Sequence, residues 1–297
     1  MDNYSHLLPQ ARELLDLPND ERIYHLKKDQ WIGYPWAKNA LDRFEALLAH
    51  PTIDRMPNLL LIGRTNNGKT QILKRFVALH PASDNIGAEA ISVPVLYLQA
   101  PAIPDEKRFY ADILSQIFAK YSFSDAPYKL LENVKDKLKR VGVRMLIIDE
   151  LNSLISGSMA KQRQFLVVLK HLSNELKIPI VAAGTEDAVR AIQTDPQLAN
   201  RFPPLVLPRW AFDTDYRRLL ASYEMILPLR QASNLSSKLL ANSIWSQAEG
   251  TIGETVTLLK KAAEYAINSG IERIDSDVLE KCDFESPSHR KKRSLEA

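Results

Sequence analysis

The feature that most constrains this chain is the motif Gly63–Thr70, which fits the pattern G-x-x-x-x-G-K-[ST] at every required position. It follows the apolar run Leu59–Ile62 and opens a helical pattern, which is the strand–loop–helix context of a phosphate-binding loop. Glycines in such a loop let backbone N–H groups point into one concavity around phosphates, and the helix N-terminus adds its positive end. The motif therefore predicts an α/β protein that binds a nucleotide.

Within this loop, the residue types indicate separate tasks. Lys69 is expected to reach the β- and γ-phosphates of ATP, and the Thr70 hydroxyl is expected to ligate Mg²⁺. We therefore predict ATP and Mg²⁺ as cofactors. The candidate nucleotide-binding residues are Gly63, Arg64, Thr65, Asn66, Asn67, Gly68, Lys69, Thr70, Gln71 and, from the next motif, Asp149.

A second motif, Met145–Glu150, is an apolar strand that ends in two carboxylates. In a protein with a phosphate-binding loop, Asp149 would hold Mg²⁺ through its water shell, and Glu150 would orient and deprotonate the attacking water. Taken alone, the pair could also begin a helix, since acidic residues are favoured in a first turn. The glutamate indicates an ATPase that hydrolyses its nucleotide rather than a phosphotransferase.

Two further polar residues stand at the ends of predicted elements. Thr185 follows the apolar run Ile180–Ala183, and a side chain at this strand tip can touch both the γ-phosphate and the attacking water. Its alternative role is a helix N-cap, for which Asp187 is another candidate. Arg201 ends a helical stretch before the last strand, from which an arginine finger can enter a neighbouring subunit's nucleotide site. The alternative is a surface arginine whose aliphatic stem packs on the fold.

Apolar runs alternate with amphipathic stretches as far as Pro208, and beyond it the pattern is helical only. This alternation predicts a parallel five-stranded sheet flanked by helices. The apolar runs are 58–62, 92–98, 144–148, 179–183 and 205–207, and the helical patterns lie at about 69–80, 105–120, 127–140 and 159–177. The predicted divisions are an N-terminal helical and aromatic segment (1–35), an α/β nucleotide-binding core (36–209), a small helical lid domain (210–284) and a basic disordered tail (285–297).

Composition excludes several classes of protein. The 297 residues are 45% hydrophobic and 25% charged, which is typical of a globular protein with a sizeable core. The single cysteine, Cys282, excludes an internal disulfide and a Cys-rich metal site, and the six histidines show no metal-ligand spacing. No apolar run approaches the ~20 residues of a membrane span, and the N-terminus does not resemble a signal peptide. We therefore expect a soluble, cytoplasmic protein without membrane contacts.

The net charge of +3 is concentrated at the C-terminus. Residues 290–297 hold four of the 39 basic residues and one of the 36 acidic residues, so residues 1–289 carry no net charge. Any attraction to nucleic acid must therefore come from a local patch or from the tail. The tail is either a DNA contact, a recruitment segment or a solvated charge run.

In their order and spacing, these motifs resemble those of the AAA+ ATPases. More specifically, the chain is similar to the TniB family of transposition ATP-binding proteins, which are related to the TnsC and MuB regulators. The family resemblance rests on the aromatic turn Trp31–Trp36, on Arg55–Asn58 and on Glu249–Glu254, in addition to the motifs above. It extends over about residues 20–280.

The resemblance implies an ATPase that assembles on double-stranded DNA as a helical filament with a hexameric turn or as a ring. It implies recruitment or activation of a DDE transposase of the TniA or TnsB type, with a TniQ-like target-selection factor as a further candidate partner. Such proteins do not cut or join DNA. The resemblance favours a sensor role for Thr185 and a trans finger role for Arg201. It also places Lys107 and Arg108 where loops grip DNA phosphates, although a solvated helix start is the alternative for both.

One departure from the AAA+ pattern concerns the rate of hydrolysis. Many AAA+ proteins place an arginine in the helical lid that touches the γ-phosphate. The segment Gly250–Glu254 offers no arginine in that neighbourhood, and Lys260 and Lys261 follow two turns later. We therefore expect slow basal hydrolysis that DNA or a partner stimulates.

Two other functions stay open at this point. A helicase-loading AAA+ ATPase would prefer single-stranded DNA, and a scaffold that uses ATP as a slow switch would show no salt-dependent affinity for DNA. The aromatic turn Trp31–Trp36 could pack in the fold, contact adenine or stack on bases of single-stranded DNA.

Overall fold

In a computed structural model, which describes residues 4–84, 91–193 and 195–296, the chain forms two compact units. One unit is Trp36–Pro208, and the other combines Met1–Pro35 with Arg209–Ala297. Among the described residues, no helix has both the length and the apolar composition needed to cross a bilayer.

The helices and strands of the described residues follow the predicted alternation. The α-helices are α1 (Pro9–Glu13), α2 (Asn19–Lys27), α3 (Pro35–Leu48), α4 (Lys69–Leu79), α5 (Glu106–Gln116), α6 (Pro127–Arg140), α7 (Met159–Leu176), α8 (Glu186–Gln193), α9 (Pro196–Ala199), α10 (Thr214–Glu224), α11 (Lys238–Gln247), α12 (Ile252–Asn268), α13 (Ser276–Lys281) and α14 (Pro287–Glu296). The strands are β1 (Leu59–Gly63), β2 (Val95–Gln99), β3 (Met145–Asp149), β4 (Ile180–Gly184) and β5 (Pro204–Leu207), and 3₁₀ helices cover Leu14–Asp16 and Leu151–Ser156.

The strands form one parallel sheet in the order β2-β3-β4-β1-β5. Every residue of β1, β3 and β4 is buried, because parallel crossovers place helices over both faces of a sheet. At the edge of the sheet, β5 alternates buried Leu205 and Leu207 with exposed Pro204 and Val206. The predicted α/β class, with a parallel five-stranded sheet flanked by helices, is confirmed.

The buried side chain of Asn58 holds together the amino ends of the strands, which we call the amino edge of the sheet; the opposite ends form the carboxyl edge. Its Nδ2 donates to Ser173 Oγ at 3.1 Å, and its Oδ1 accepts from the backbone N–H of Ile180 at 2.8 Å. One amide therefore joins the start of β1 to the start of β4 and to α7. Both ends of the amide are satisfied, as burial of a polar group requires.

The strand order brings three chemically important strand ends together. Because β1 lies between β4 and β5, the strand order reverses around β1, and a crevice forms beyond the carboxyl ends of the strands at such a point. Ile62 in β1 pairs with Gly184 in β4, and Ile148 in β3 pairs with Ala182 in β4. The residues that follow β1, β3 and β4 therefore meet at one edge of the sheet.

The second unit is a helical bundle that includes the N-terminal helices. Its buried cluster combines Leu26 of α2 with apolar residues of α10 to α13. The aromatic turn contributes Tyr34, whose ring contacts Trp210 edge-on with centroids 5.1 Å apart. Burial raises the pKa of Tyr34 to about 12. Of the readings of the aromatic turn, packing in the fold is the one that the Tyr34 contact supports.

A buried ion pair fixes α2 within this helical unit. Arg22 is 1% exposed, and its Nη1 and Nη2 donate to the two carboxylate oxygens of Glu272 at 2.8 and 2.6 Å. Nη2 also donates to the carbonyl of Pro228, and the backbone N–H of Arg230 donates to Glu272. Burial alone would raise the pKa of Glu272, but these hydrogen bonds outweigh burial and hold the pKa below its usual value.

Replacement of Arg22 by methionine is expected to destabilise the helical unit by about 3–5 kcal/mol, because Glu272 would stay buried without its main partner. The lowered pKa means that the pair stabilises the wild type above the unfolded-state value of about 4.3. This stabilisation is lost as the pH falls through the folded-state pKa of Glu272. Urea unfolding followed by tryptophan fluorescence measures the effect, since three of the four tryptophans lie in this unit.

The matched control for this prediction is Lys27→Met. Lys27 lies on α2, as Arg22 does, and its ion pair with Glu264 of α12 is more exposed. An exposed pair contributes at most about 1 kcal/mol, so this variant should unfold nearly as the wild type does. Equal destabilisation in the two variants would show that burial gives the Arg22 pair no special weight.

The basic C-terminal segment is helical, so the expectation of a disordered tail is not met. Arg290 Nη2 donates to Glu254 Oε2 at 2.6 Å, and the backbone N–H of Ser288 donates to Glu249 at 2.8 Å. Helix α14 has no buried residue, so these charged and polar contacts hold it in place. They also bring an arginine to the segment Gly250–Glu254. The sequence predicts none there, since Arg290 lies 36 residues beyond Glu254 in the chain.

Candidate nucleotide-binding site

The predicted phosphate-binding loop connects the buried end of β1 directly to α4. Asn66 and Gly68 adopt left-handed conformations, with φ of 60° and 85°, and these turn the chain from the strand into the helix. A left-handed backbone favours glycine and tolerates asparagine, so both residue types suit the turn. The loop thus places the N-terminus of α4 beyond the sheet edge, where anions bind helix termini.

The ammonium group of Lys69 lies inside the loop. Its Nζ donates to the carbonyl oxygens of Gly63 and Arg64, both at 2.9 Å, and the residue is buried. Burial lowers the pKa of Lys69, while the charges of Glu150 and Asp149 act in the opposite direction. The cation is therefore held in the concavity in which phosphates would bind.

Asn67 anchors the loop to the neighbouring strand. Its side chain is buried, and Nδ2 donates to the carbonyl oxygens of Leu207 and Pro208, both at 3.0 Å. These bonds tie the middle of the loop to the end of β5. The sequence marks Asn67 only as part of the motif, whereas the fold uses its side chain to hold the loop against the sheet.

Asp149 is fully buried at the end of β3, and its carboxylate accepts three hydrogen bonds. Thr70 Oγ1 and the Tyr97 hydroxyl donate to Oδ2 at 2.7 and 3.0 Å, and the backbone N–H of Glu150 donates to Oδ1 at 2.8 Å. A carboxylate and a hydroxyl in contact are the hard oxygen ligands that suit Mg²⁺. The pair of Thr70 and Asp149 therefore fits the predicted Mg²⁺ site.

Glu150 has a backbone conformation that is unusual for its residue type. Its φ is 56°, in the left-handed region, which costs a residue other than glycine about 1–3 kcal/mol. The carboxylate accepts a hydrogen bond from Asn152 Nδ2 at 3.1 Å. The side chain of the proposed general base is thus set by a strained turn and by an asparagine that sequence reasoning did not single out.

Tyr97 is a second site residue that sequence reasoning missed. It lies in β2, directly beside β3, and its hydroxyl contacts the buried Asp149 carboxylate. Burial, followed by the negative charge of Asp149, raises the pKa of Tyr97, so the hydroxyl stays protonated and donates a hydrogen bond to the carboxylate. The only signal in the sequence is a residue with a polar tip inside the apolar run 92–98.

Replacement of Tyr97 by phenylalanine is expected to raise the Mg²⁺ concentration needed for ATP binding by about 10-fold, because partners that orient a metal ligand commonly contribute that much to metal affinity. Binding of a fluorescent ATP analogue, titrated with Mg²⁺, measures the shift. Tyr128→Phe removes a hydroxyl from an exposed tyrosine and serves as the control. An unchanged Mg²⁺ dependence in the Tyr97 variant would contradict a positioning role.

Thr185 lies at the same edge as the loop. It follows Gly184, which pairs with Ile62 at the end of β1, and it immediately precedes α8. The Thr185 carbonyl accepts from the backbone N–H of Ala188 at 3.0 Å. A side chain on Gly184 would lie 2.7 Å from Ala188 Cβ, so only glycine permits this tight passage from strand to helix.

Arg201 lies near the amino ends of the strands, whereas the phosphate-binding loop lies at their carboxyl ends. Arg201 precedes β5, and its Nη1 donates to Asn174 Oδ1 at 2.6 Å. The half-buried side chain is therefore separated from the loop of its own chain by the length of β1. The fold brings Lys69, Thr70, Asp149 and Glu150 together and leaves Arg201 outside this group.

The two candidate DNA contacts differ in their surroundings. Lys107 is half-buried and Arg108 is exposed in the first turn of α5, which Asp105 caps by accepting from the Arg108 backbone N–H at 2.7 Å. Arg108 also lines a cavity of about 610 Å³ together with Glu150 and Asp112. Burial raises the pKa of Asp112, and Arg108 counteracts the rise.

Comparison with known proteins identifies one family and one fold. A model of the bacterial TniB protein family matches residues 22–212, and no curated protein matches the sequence significantly. Among solved structures, the Aeropyrum pernix ORC2 protein in ADPNP–ADP complexes is similar, with 18% identity and a TM-score of 0.61 over 92% of this chain and 74% of that chain.

Two further solved structures resemble the chain. The Aeropyrum pernix ORC1 protein in complex with DNA has 18% identity and a TM-score of 0.58, over 88% of this chain and 68% of that chain. Cdc6p from Pyrobaculum aerophilum has 14% identity and a TM-score of 0.58, over 87% of this chain and 69% of that chain. At these identities the similarity establishes the fold, which is that of the AAA+ proteins.

Proposed function

Since this chain belongs to the TniB family of bacterial proteins, we propose that it is an ATPase that binds double-stranded DNA and regulates transposition. The observation that carries the proposal is the contact between Thr70 and the buried Asp149, with Lys69 in the loop and Glu150 next in the chain. Together these residues can bind phosphate, hold a metal ion and activate water, which are the tasks that hydrolysis of a nucleoside triphosphate requires.

In the proposed reaction, Lys69 and the backbone N–H groups of the loop bind the phosphates, and Thr70 and Asp149 hold Mg²⁺. The metal would neutralise charge on the β- and γ-phosphates when bound. Glu150 accepts a proton from water as the water oxygen attacks the γ-phosphorus, and the bond from that phosphorus to the ADP oxygen breaks. Thr185, at the same edge, senses the γ-phosphate, and the products are ADP and phosphate.

The position of Arg201 supports assembly of several copies. Because the side chain lies one strand length from its own loop, it completes a nucleotide site only in a neighbouring copy. We therefore infer a helical filament or ring that forms when ATP is bound. ATP binding and assembly are then thermodynamically linked, since each stabilises the other.

The location of Arg108 supports stimulation of hydrolysis by DNA. Arg108 and Glu150 line one cavity, so a DNA phosphate bound by Lys107 and Arg108 would change the electrostatics around the general base. Without DNA, slow hydrolysis is expected. In this proposal the protein recruits a DDE transposase of the TniA or TnsB type, with a TniQ-like factor as a second partner, and does not cut DNA itself.

The first test is negative-stain imaging of the protein with double-stranded DNA in ATP, in ADP and without nucleotide. Ordered filaments or rings that form on duplex DNA only with ATP would support the proposal. Assembly on single-stranded DNA in preference to duplex would favour a helicase-loading function instead. ATP binding without any DNA-dependent assembly, or DNA affinity that does not fall with salt, would overturn the proposal.

A further inference from the structure

On the amino edge of the sheet, away from the phosphate-binding loop, two arginines share one cavity. The cavity has a volume of about 510 Å³ and lies where the segment before β1 meets the segment before β5. Arg55 and Asn58 line it from the first segment, and Gln197, Asn200 and Arg201 from the second. None of the described residues that line it carries a carboxylate. The cavity is therefore a cationic recess that its own lining does not neutralise.

The backbone around this recess is held firmly. Asn58 is buried and bonded at both ends of its amide, and Met56 is buried beside it. Arg201 is held by its bond to Asn174, which uses one of the five N–H donors of the guanidinium. The other donors can meet a further acceptor without a change in the position of the side chain.

Arg55 is exposed, and the acid next to it in the chain is engaged elsewhere. Asp54 Oδ1 accepts from Lys177 Nζ at 2.8 Å. The charge of Asp54 is thereby paired with a lysine rather than with its neighbour Arg55. This arrangement leaves the recess with two guanidinium groups and a strong preference for an anion.

The geometry of the recess indicates which anion would fit. Guanidinium groups form bidentate hydrogen bonds with carboxylates and phosphates, and two of them in one recess match a group with several charged oxygens. The nucleotide of the same chain is out of reach, because the five residues of β1 separate Asn58 from the loop by about 16 Å. A nucleotide that reaches this recess must therefore be bound by another chain.

We propose that Arg55 acts together with Arg201 on the nucleotide bound by a second copy of this chain, with both guanidinium groups on its terminal phosphate. The inference rests on the proposed function, since it requires ATP in the neighbour's loop. The two edges would be complementary in the ATP-bound state: Glu150 and the triphosphate would lie at the carboxyl edge, whereas the charged groups among the described lining of the amino-edge recess are the two arginines. Such a contact joins two different surfaces and therefore continues into a ring or a helix.

The first arm of the test compares Arg55→Ala with the wild type in DNA-stimulated ATP hydrolysis. An arginine that touches the terminal phosphate in the transition state can contribute about 10³-fold or more, and we expect a loss of at least about 10-fold for a second arginine that shares the task. Binding of a fluorescent ADP analogue by the isolated protein should stay unchanged, because the loop of the same chain is intact.

The control variants are chosen to separate charge from geometry. Arg43→Ala removes an exposed arginine of the same unit outside the recess and should hydrolyse ATP as the wild type does. Arg55→Lys keeps the charge but loses the bidentate geometry, and it should fall between the alanine variant and the wild type. Since Arg55 is exposed, neither substitution at this position should change the thermal unfolding transition.

The second arm mixes Arg55→Ala with Glu150→Gln. The first variant has an intact hydrolytic site but supplies no Arg55, and the second supplies Arg55 but cannot hydrolyse. If Arg55 acts in the neighbour's site, random mixing pairs an intact site with an intact Arg55 at about a quarter of the contacts, and hydrolysis should recover to about that fraction of the wild-type rate.

Each outcome of the mixing experiment has a definite meaning. Recovery in the mixture supports the inference. A loss in Arg55→Ala that the mixture does not restore would place Arg55 in its own chain or on DNA, and a wild-type rate in Arg55→Ala would remove it from the reaction; either result overturns the inference. Failure of the proposed function is distinct, because the wild type would then show no DNA-dependent assembly or hydrolysis.

Discussion

Replacement of Glu150 by glutamine is expected to lower the rate of ATP hydrolysis by at least about 100-fold, because an amide cannot take a proton from the attacking water. The substitution keeps the size of the side chain, and the amide oxygen can still accept the hydrogen bond from Asn152. Lys69, Thr70 and Asp149 are untouched. ATP affinity should therefore stay within a few-fold of the wild-type value.

The same variant should accumulate in the assembled state. If ATP holds neighbouring copies together, a chain that binds ATP without hydrolysing it cannot release its neighbours by hydrolysis. Phosphate release measures the rate, a fluorescent ATP analogue measures the affinity, and sedimentation with duplex DNA measures assembly. Asp187→Asn, at an exposed acidic residue in the first turn of α8, is the control and should match the wild type in all three. Hydrolysis by Glu150→Gln at a near wild-type rate would exclude Glu150 as the general base.

The core of the candidate nucleotide site could be located from the sequence because each of its parts is a contiguous segment. The loop Gly63–Thr70 and the pair Asp149–Glu150 each take their geometry from a local transition out of a strand. Parallel strands align their carboxyl ends, so the two segments had to lie at the same end of the predicted sheet. The sheet itself could be predicted because its inner strands are apolar apart from Asp149 at the end of β3.

The residues that hold this core could not be predicted, because each acts through one contact between distant segments. Tyr97 donates to Asp149 from the neighbouring strand, and Asn58 joins the starts of β1 and β4. In the sequence each is a single polar group in or beside an apolar run. Such a group has many possible roles, and only the pairing of strands shows which one applies.

Charge patterning misled the prediction for the C-terminal segment. Its run of basic residues, with little apolar content, is typical of a solvated tail. The segment is helical because Arg290 meets Glu254 and the Ser288 backbone meets Glu249, and both acids lie far earlier in the chain. The sequence contains these acids, but nothing in it pairs them with the tail. For the same reason, the sequence does not predict that Arg55 and Arg201 line one recess in the folded chain.

Replacement of Lys69 by alanine is expected to abolish both ATP binding and assembly on DNA. In the proposed ATP complex the ammonium, which is the buried cation of the loop, would exchange its bonds to Gly63 and Arg64 for two charge-assisted hydrogen bonds to phosphate oxygens, each contributing about 1.5–3 kcal/mol. Their sum of at least about 3 kcal/mol corresponds to a loss of about 100-fold or more in affinity. Binding of a fluorescent ATP analogue tests the first expectation, and imaging with duplex DNA tests the second.

The control for Lys69 lies on the same helix. Lys74→Ala removes an exposed ammonium from α4 and should leave binding and assembly unchanged. In the proposed filament or ring each contact requires a nucleotide, so a chain with an empty loop could offer its arginines to a neighbour but could not accept those of another. Lys69→Ala should therefore cap the end of a growing wild-type assembly and shorten it in proportion to its fraction. If Lys69→Ala instead assembled normally on DNA without nucleotide, ATP binding and assembly would be independent, and the shared site proposed for Arg201 would have to be abandoned.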